Sequence, residues 1–373
     1  MSTELASLLA SLFPLEDVAP AVEAMRSFRI TTAVDLVFTP SVPPHPALPP
    51  ATFSRLKSAV SAHLGAPSTS GAYLLDQHHA HKAAQPSGYS TSLPELDDHL
   101  AGGLSLGDVV EICGPRHSAR TALALYVLLL HLLLHADKRA AWLDTSGSFD
   151  PYRCLGILRD VLIPRLWQAG GSFAGEDGKE PSAEELAISV LDRLAVSRVG
   201  KSGDALDTLA AETRAEGKEH KLDMVVVDTL DALLGGEALG GASAQGPANL
   251  VAFMRRLSSL AQATTTPLVV LVITTATPTP APPRSKPAAP QPAQPPPLSS
   301  LPLPSPLKLV LGSTYTYLLD ISLLVLPAEP LFGPKDGKNR YLVEVTRNSR
   351  GRTGQIVGFK LENGAKLEHF EEV

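Results

Sequence analysis

Six strand-length runs of mostly apolar residues recur along the chain, at 109–113, 140–144, 224–228, 268–274, 321–326 and 341–346. They are rich in β-branched and aliphatic side chains and alternate with helical runs. That pattern predicts a parallel sheet covered by helices on both faces. The first 63 residues follow a different rhythm. Leu5, Leu8, Leu9 and Leu12, then Val22, Met25 and Phe28, fall at helical spacing, broken by Pro14, Pro20 and the prolines between 40 and 50. The longest apolar run, 122–134, is shorter than the roughly 20 residues a bilayer span needs and contains His131, so it predicts a buried core helix.

These rhythms divide the chain into a small helical domain at 1–64, a linker at 65–90 rich in Ser, Ala, Gly and His, and an α/β core at 91–373. Within the core, residues 277–306 are a dense Pro, Ala and Ser tract that cannot bury a core, and it reads as a disordered insertion with polyproline II character. The 373 residues exceed one average domain. A net charge of -6 means that any nucleic-acid contact needs a local basic patch. Two cysteines, Cys113 and Cys154, give neither a disulfide framework nor a metal cluster, as expected of a reducing compartment. The N-terminus lacks the basic region of a signal peptide, and no membrane association is expected.

One junction carries chemistry. The predicted strand at 109–113 leads into Gly114-Pro115-Arg116-His117-Ser118-Ala119-Arg120-Thr121, and a helix follows directly. The residues alone are compatible with an ordinary strand–turn–helix junction and with the frame of a phosphate-binding loop, in which backbone N–H groups wrap phosphates, a Lys reaches them and a Ser or Thr ligates Mg²⁺. Ala119 stands where the second glycine is expected and Arg120 where the lysine is expected. A Cβ in left-handed geometry costs on the order of 1–2 kcal/mol, and a broad guanidinium does not replace a compact ammonium without rearrangement. The run at 222–229 supplies the second element, a buried strand ending in Asp228. Such an aspartate orients Mg²⁺ or caps the following helix, and the residues alone are compatible with both.

A long ordered match surrounds the loop. Thr91-Ser92-Leu93-Pro94-Glu95-Leu96-Asp97, then Gly102-Gly103-Leu104, then Gly107-Asp108-Val109-Val110-Glu111-Ile112, together with Trp142-Leu143-Asp144-Thr145-Ser146-Gly147-Ser148-Phe149, resemble the eukaryotic RecA-family strand-exchange recombinases and their paralogues. Residues 29–37, 311–315 and 346–354 are most similar to the D-type paralogue. The resemblance implies a RecA-like P-loop ATPase core, a nuclear role in homologous-recombination repair of double-strand breaks, and assembly with other RecA-like recombinase paralogues. It implies contact with single-stranded or branched DNA inside that complex. It further implies ATP and Mg²⁺ at Gly114, Ser118, Ala119, Arg120, Thr121 and Asp228, the metal being held through Thr121 and Asp228.

Departures from the family are equally informative. Ser146 occupies the usual position of the Glu that activates water, and Ser cannot act as that base. Thr274, Thr275 and Ala276 lie where a long amide or imidazole would sense the γ-phosphate, and the proline tract lies where a DNA-binding loop would follow. The expectation is a regulatory subunit without strand exchange. A working DNA-dependent ATPase and a nucleotide-free scaffold are the competing readings. Tyr73, in the linker, either docks on a neighbouring subunit by adding a strand or packs on its own core. Arg347, Arg350 and Arg352 read as phosphate or DNA contacts, as a cap over a neighbour's nucleotide, or as a solvated loop. His78, His79 and His81 read as a solvated tract, and Arg255-Arg256 as a helix surface.

Overall fold

In the computed structural model the chain divides into two units, residues 1–85 and 86–373. The structure describes residues 5–65, 70–76, 88–171, 181–214, 221–239, 245–263, 267–279, 298–336, 339–362 and 366–370.

The first unit contains α1 (Leu5–Leu12), α2 (Leu15–Ser27), α3 (Ala33–Phe38) and α4 (Pro50–Leu64). Its core joins Leu5 and Leu9 of α1, Met25 of α2, Leu36 of α3, and Leu56 and Val60 of α4. Thr32 and Asp35 form a capping box at the start of α3: Asp35 N–H donates to Thr32 Oγ1 and Thr32 N–H to Asp35 Oδ2. Pro20 does not break the pattern as expected but lies inside α2. A mid-helix proline costs about 3 kcal/mol, and the burial of Val18, Ala21, Ala24 and Met25 around it offsets that penalty.

In the linker, residues 71–76 form a short helix, α5, not a strand, and Tyr73, Leu74 and Leu75 are each 54% exposed. Tyr73 is therefore neither extended nor buried in a core. His78, His79 and His81 lie outside the described residues. The core begins before residue 91, because buried Tyr89 exchanges two backbone hydrogen bonds with Leu104.

The second unit is built on a ten-stranded sheet. Its elements are α6 (Pro94–His99), β1 (Val109–Gly114), α7 (Arg120–Leu134), β2 (Lys138–Asp144), α8 (Pro151–Ile157), α9 (Ile163–Gln168), α10 (Ala183–Leu191) and β3 (Leu194–Arg198). They continue with α11 (Ser202–Arg214), β4 (Lys221–Asp228), α12 (Leu230–Leu239), α13 (Gln245–Ala261), β5 (Val269–Pro278) and β6 (Leu307–Leu309). After a 3₁₀ turn (Ser313–Leu318) come β7 (Ile321–Pro327), α14 (Glu329–Asp336), β8 (Arg340–Asn348), β9 (Ile356–Glu362) and β10 (Lys366–Phe370).

Strand order is β10-β9-β8-β7-β1-β5-β4-β2-β3, with β6 paired to the end of β5. The strands from β7 to β3 run parallel, while β7–β8, β8–β9 and β9–β10 are antiparallel. The sheet is thus mixed, not wholly parallel. The short turn between β8 and β9 explains part of this, since a parallel return needs a crossover of a dozen or more residues. One face is covered by α7, α8 and α10, the other by α11, α12 and α13.

The proline tract needs new boundaries. Residues 277 and 278 complete β5, and the far end returns to the fold, where Ser299 Oγ and Ser300 N–H donate to the buried Glu344 carboxylate. Leu301, Leu303 and Leu307 pack on the core. The two ends are therefore folded parts of the protein, against the expectation for the whole tract, and residues 280–297 lie outside the described residues.

Two further contacts hold α7 in place. Arg193 donates from Nη1 to the carbonyls of His135 and Lys138 and from Nη2 to Leu132 O, closing the helix's last turn. On the same face, Asp223 lies where the β2–β4 register shifts. It accepts from Tyr89 Oη at 2.7 Å, and its Oδ1 is 2.8 Å from His131 Nε2 of α7.

Candidate nucleotide site

The site lies at the C-terminal ends of β1, β4 and β5, where apolar strands deliver polar residues to the sheet rim. Gly114 ends β1, and a Cβ there would collide with Val325 O and Ser118 Oγ, so only glycine allows this turn. Ala119 is left-handed, with φ 60° and ψ 17°, and N-caps α7; His117 is also left-handed, with φ 65°. Two non-glycine residues thus hold a conformation that costs L-residues about 1–2 kcal/mol each. Ser118 Oγ is buried without a hydrogen-bond partner among the described residues. An unpaired hydroxyl beside the first turn of a long helix suits an oxyanion, which the helix dipole and free N–H groups also favour.

Thr121 Oγ1 lies 3.5 Å from Asp228 Oδ1. This pairing of a helix-start hydroxyl with the aspartate ending β4 is the arrangement that can share a Mg²⁺ ion. Burial pushes the Asp228 carboxyl up to about 6, against the lowering effect of the Thr121 hydrogen bond.

Arg120 does not project as a free cation. Its Nη1 donates to the Thr274 carbonyl and, at 3.1 Å, to Thr275 Oγ1. Burial lowers its pKa, opposed by the carboxylates of Asp231 and Asp228, and a guanidinium remains charged throughout. Thr274 continues inward: its hydroxyl donates to Glu111 Oε1, and Ser322 Oγ donates to Glu111 Oε2. With hydroxyls as its partners, Glu111 is pushed up to about 7 by burial. Asp231, in the first turn of α12, accepts the Thr275 N–H at 3.0 Å.

Ser146 belongs to a turn nested around Asp144. The N–H groups of Ser146, Gly147, Ser148 and Phe149 all donate to that carboxylate. Burial raises the Asp144 pKa, but these amides outweigh it and hold the carboxyl below its usual range. Ser146 Oγ pairs with Ser148 Oγ at 2.7 Å. Asp144 thus shapes the turn, and Ser146 brings no base.

Beside the loop a cavity of ≈ 400 Å³ is lined by His117, Ser118, Arg120, Arg153 and Tyr341. Tyr341 stacks on Phe359 at 5.3 Å. Neither Arg153 nor Tyr341 was marked by the sequence, because α8 and β8 are distant in the chain. A guanidinium and a phenol ring flanking a phosphate cradle are groups on which a planar base can stack.

The basic cluster is elsewhere. β7 pairs Ile321 with Val110 of β1 and with Asn348 of β8, which places the β8–β9 turn at the N-terminal end of β1, about 20 Å along the strand from the phosphate loop. Arg350 is paired with Asp108, whose pKa burial raises and Arg350 counteracts. Arg347 Nε donates to Leu319 O and its guanidinium lies 6.0 Å from the exposed Tyr317 ring, while Arg352 is exposed. Arg347 and Arg350 therefore each make a contact within the fold. Among the described residues no three His, Cys, Asp or Glu side chains form a metal cluster, and no helix is long and apolar enough to cross a membrane.

No family model matches the chain. It is 28% identical over 178 residues, 46% of its length, to the DNA repair protein RAD51 homolog 4 of Bos taurus, covering 48% of that protein. It is 32% identical over 111 residues, 28% of its length, to protein RecA of Paramagnetospirillum magnetotacticum, covering 26% of it. The chain thus spans about half or less of the length of these curated relatives. The solved ATPase domain of G40P covers 82% of the chain with a TM-score of 0.56 at 14% identity, all of that domain being matched. The core is RecA-like, and the chain is similar to RecA-family recombination and DNA-repair proteins.

Proposed function

We propose that this chain is a D-type RecA-family recombinase paralogue that binds a nucleotide and supports homologous-recombination repair as an accessory subunit of a paralogue complex in the nucleus. One observation carries the reading: a phosphate-loop frame with an unpaired buried Ser118 hydroxyl, and Thr121 facing Asp228, on a RecA-like sheet. The loop amides from Gly114 to Thr121 and Ser118 Oγ would hold the phosphates, and Thr121 and Asp228 would hold Mg²⁺. Bound there, Mg²⁺ offsets phosphate charge. Arg153 and Tyr341 would flank the base.

Ser146 carries no carboxylate and Asp144 is occupied by four backbone amides, so no group at that turn takes a proton from water. Nucleotide thus serves assembly, and DNA is met within the complex. Tyr73 is the candidate contact to a neighbouring subunit, with Arg347 and Arg352 the candidates for DNA or for a neighbour's nucleotide. The test is a paralogue complex reconstituted with and without this chain, scored for recombinase loading on single-stranded DNA. Loading should depend on the chain while ATP turnover by the purified chain stays at background. Loading indifferent to the chain would falsify the reading. Turnover stimulated by DNA and lost in Asp228→Ala would establish a working ATPase instead.

A further inference from the structure

The rim of the phosphate loop is closed on one side by the protein itself. Arg120 Nη1 is bonded to Thr274 O and Thr275 Oγ1. Asp231 accepts the Thr275 N–H, and its charge acts on Arg120 ahead of that of Asp228. One cation, one strand end and one added carboxylate thus tie α7, β5 and α12 together. Among the described residues Arg120 Nε and Nη2 have no hydrogen-bond partner, and Arg120 lines the cavity beside the loop.

In an ordinary loop the lysine reaches the β- and γ-phosphates. Here the guanidinium is half committed: Nη1 is fixed on β5, and Nε and Nη2 remain for the phosphate seated in the loop. Register pairs Gly114 with Thr275, so the latch stands directly beside the loop's first residue. A third phosphate would bring further negative charge to a rim that already carries Asp228 and Asp231, with one arm of its cation unavailable. Mg²⁺ held by Thr121 and Asp228 would offset one of those carboxylates, leaving Asp231 as the surplus.

We infer that this site selects a nucleoside diphosphate over a triphosphate, with Asp231 as the specificity-determining residue and Arg120 as the latch that holds the rim closed. The inference rests on the proposed reading that the loop frame binds a nucleotide.

Calorimetric titration of the full chain with ADP and with a non-hydrolysable ATP analogue, both with Mg²⁺, tests it. A like charge added to a rim that already carries Asp228 and Asp231 predicts ADP binding about tenfold tighter than the analogue. Asp231→Asn keeps an acceptor for the Thr275 N–H. It should tighten the analogue about tenfold while ADP stays within about threefold. Arg120→Lys, which restores a compact ammonium, should narrow the preference in the same direction. Equal affinities, a preference for the triphosphate, or an Asp231→Asn shift common to both ligands would overturn the inference and leave the nucleotide site standing. Binding of neither ligand would overturn the nucleotide site and the inference with it.

Discussion

Asp223 and Glu111 are both carboxylates sealed inside one sheet, on opposite faces, and their partners differ in kind. Asp223 meets an imidazole and a phenol, His131 and Tyr89, and that cluster turns inward, joining α7 and the start of the core to β4. Glu111 meets hydroxyls from Thr274 and Ser322, and through Thr274 it reaches the strand end on which Arg120 is anchored. A partner that can carry positive charge makes a buried carboxylate a structural joint. The hydroxyls around Glu111 lower its pKa, and burial outweighs them and pushes it up to about 7. One network fastens the fold, and the other connects the core to the rim of the candidate site.

The largest expected effect tests the first half of that contrast. Asp223→Ala leaves His131 Nε2 and Tyr89 Oη without their carboxylate in a dry interior and should cost about 3–5 kcal/mol. Urea denaturation would measure it, and a loss under 1 kcal/mol would remove Asp223 from the role of joint.

Next is Glu111→Gln. The unfolded carboxyl titrates near 4.5 and the folded one near 7. The folded state therefore holds the extra proton between those values, so the contribution to stability is complete below 4.5 and is lost as pH rises to 7. The loss amounts to about 3 kcal/mol across that window. The variant should be less sensitive to pH, with its largest gain over wild type near pH 8. Parallel denaturation profiles for the two proteins would break the comparison.

A smaller effect concerns Asp228, raised to about 6. Mg²⁺ needs the ionised carboxylate, so Mg²⁺-dependent nucleotide affinity should rise about tenfold from pH 5 to pH 7. Asp228→Asn should give a flat profile, and a flat wild-type profile would remove Asp228 from the metal position. The smallest is Arg350→Ala, expected to cost about 1 kcal/mol because its pair with Asp108 is partly exposed. DNA binding by the complex should be unchanged, and a clear loss would return Arg350 to the list of DNA contacts.

The apolar strands and the phosphate-loop frame were legible because both are local signals: period, length and a turn joining a strand to a helix. The networks were not, since Tyr89 and Asp223 are 134 positions apart, Glu111 and Thr274 163, and Arg120 and Thr275 155. Asp231 reads in sequence as an ordinary acidic residue in a helix's first turn, and only the return of β5 beside it gives it a neighbour. The pairing of Arg350 was hidden for the same reason. Arg350 looks free until β7 brings β8 beside β1 and Asp108 into reach. Pro20 and the ends of the proline tract show composition overruled by burial.

The three carbonyls that Arg193 gathers at the foot of α7 have a mechanical consequence. A helix usually absorbs a push at one end by fraying at the other. With Arg193 fastening the foot and Asp223 gripping His131 near it, α7 has no slack to release. Whatever occupies the loop at its head would be felt as displacement of a stiff rod against β2 and β4. Amide exchange along the whole of α7, from head to foot, should then slow together as ligand is added.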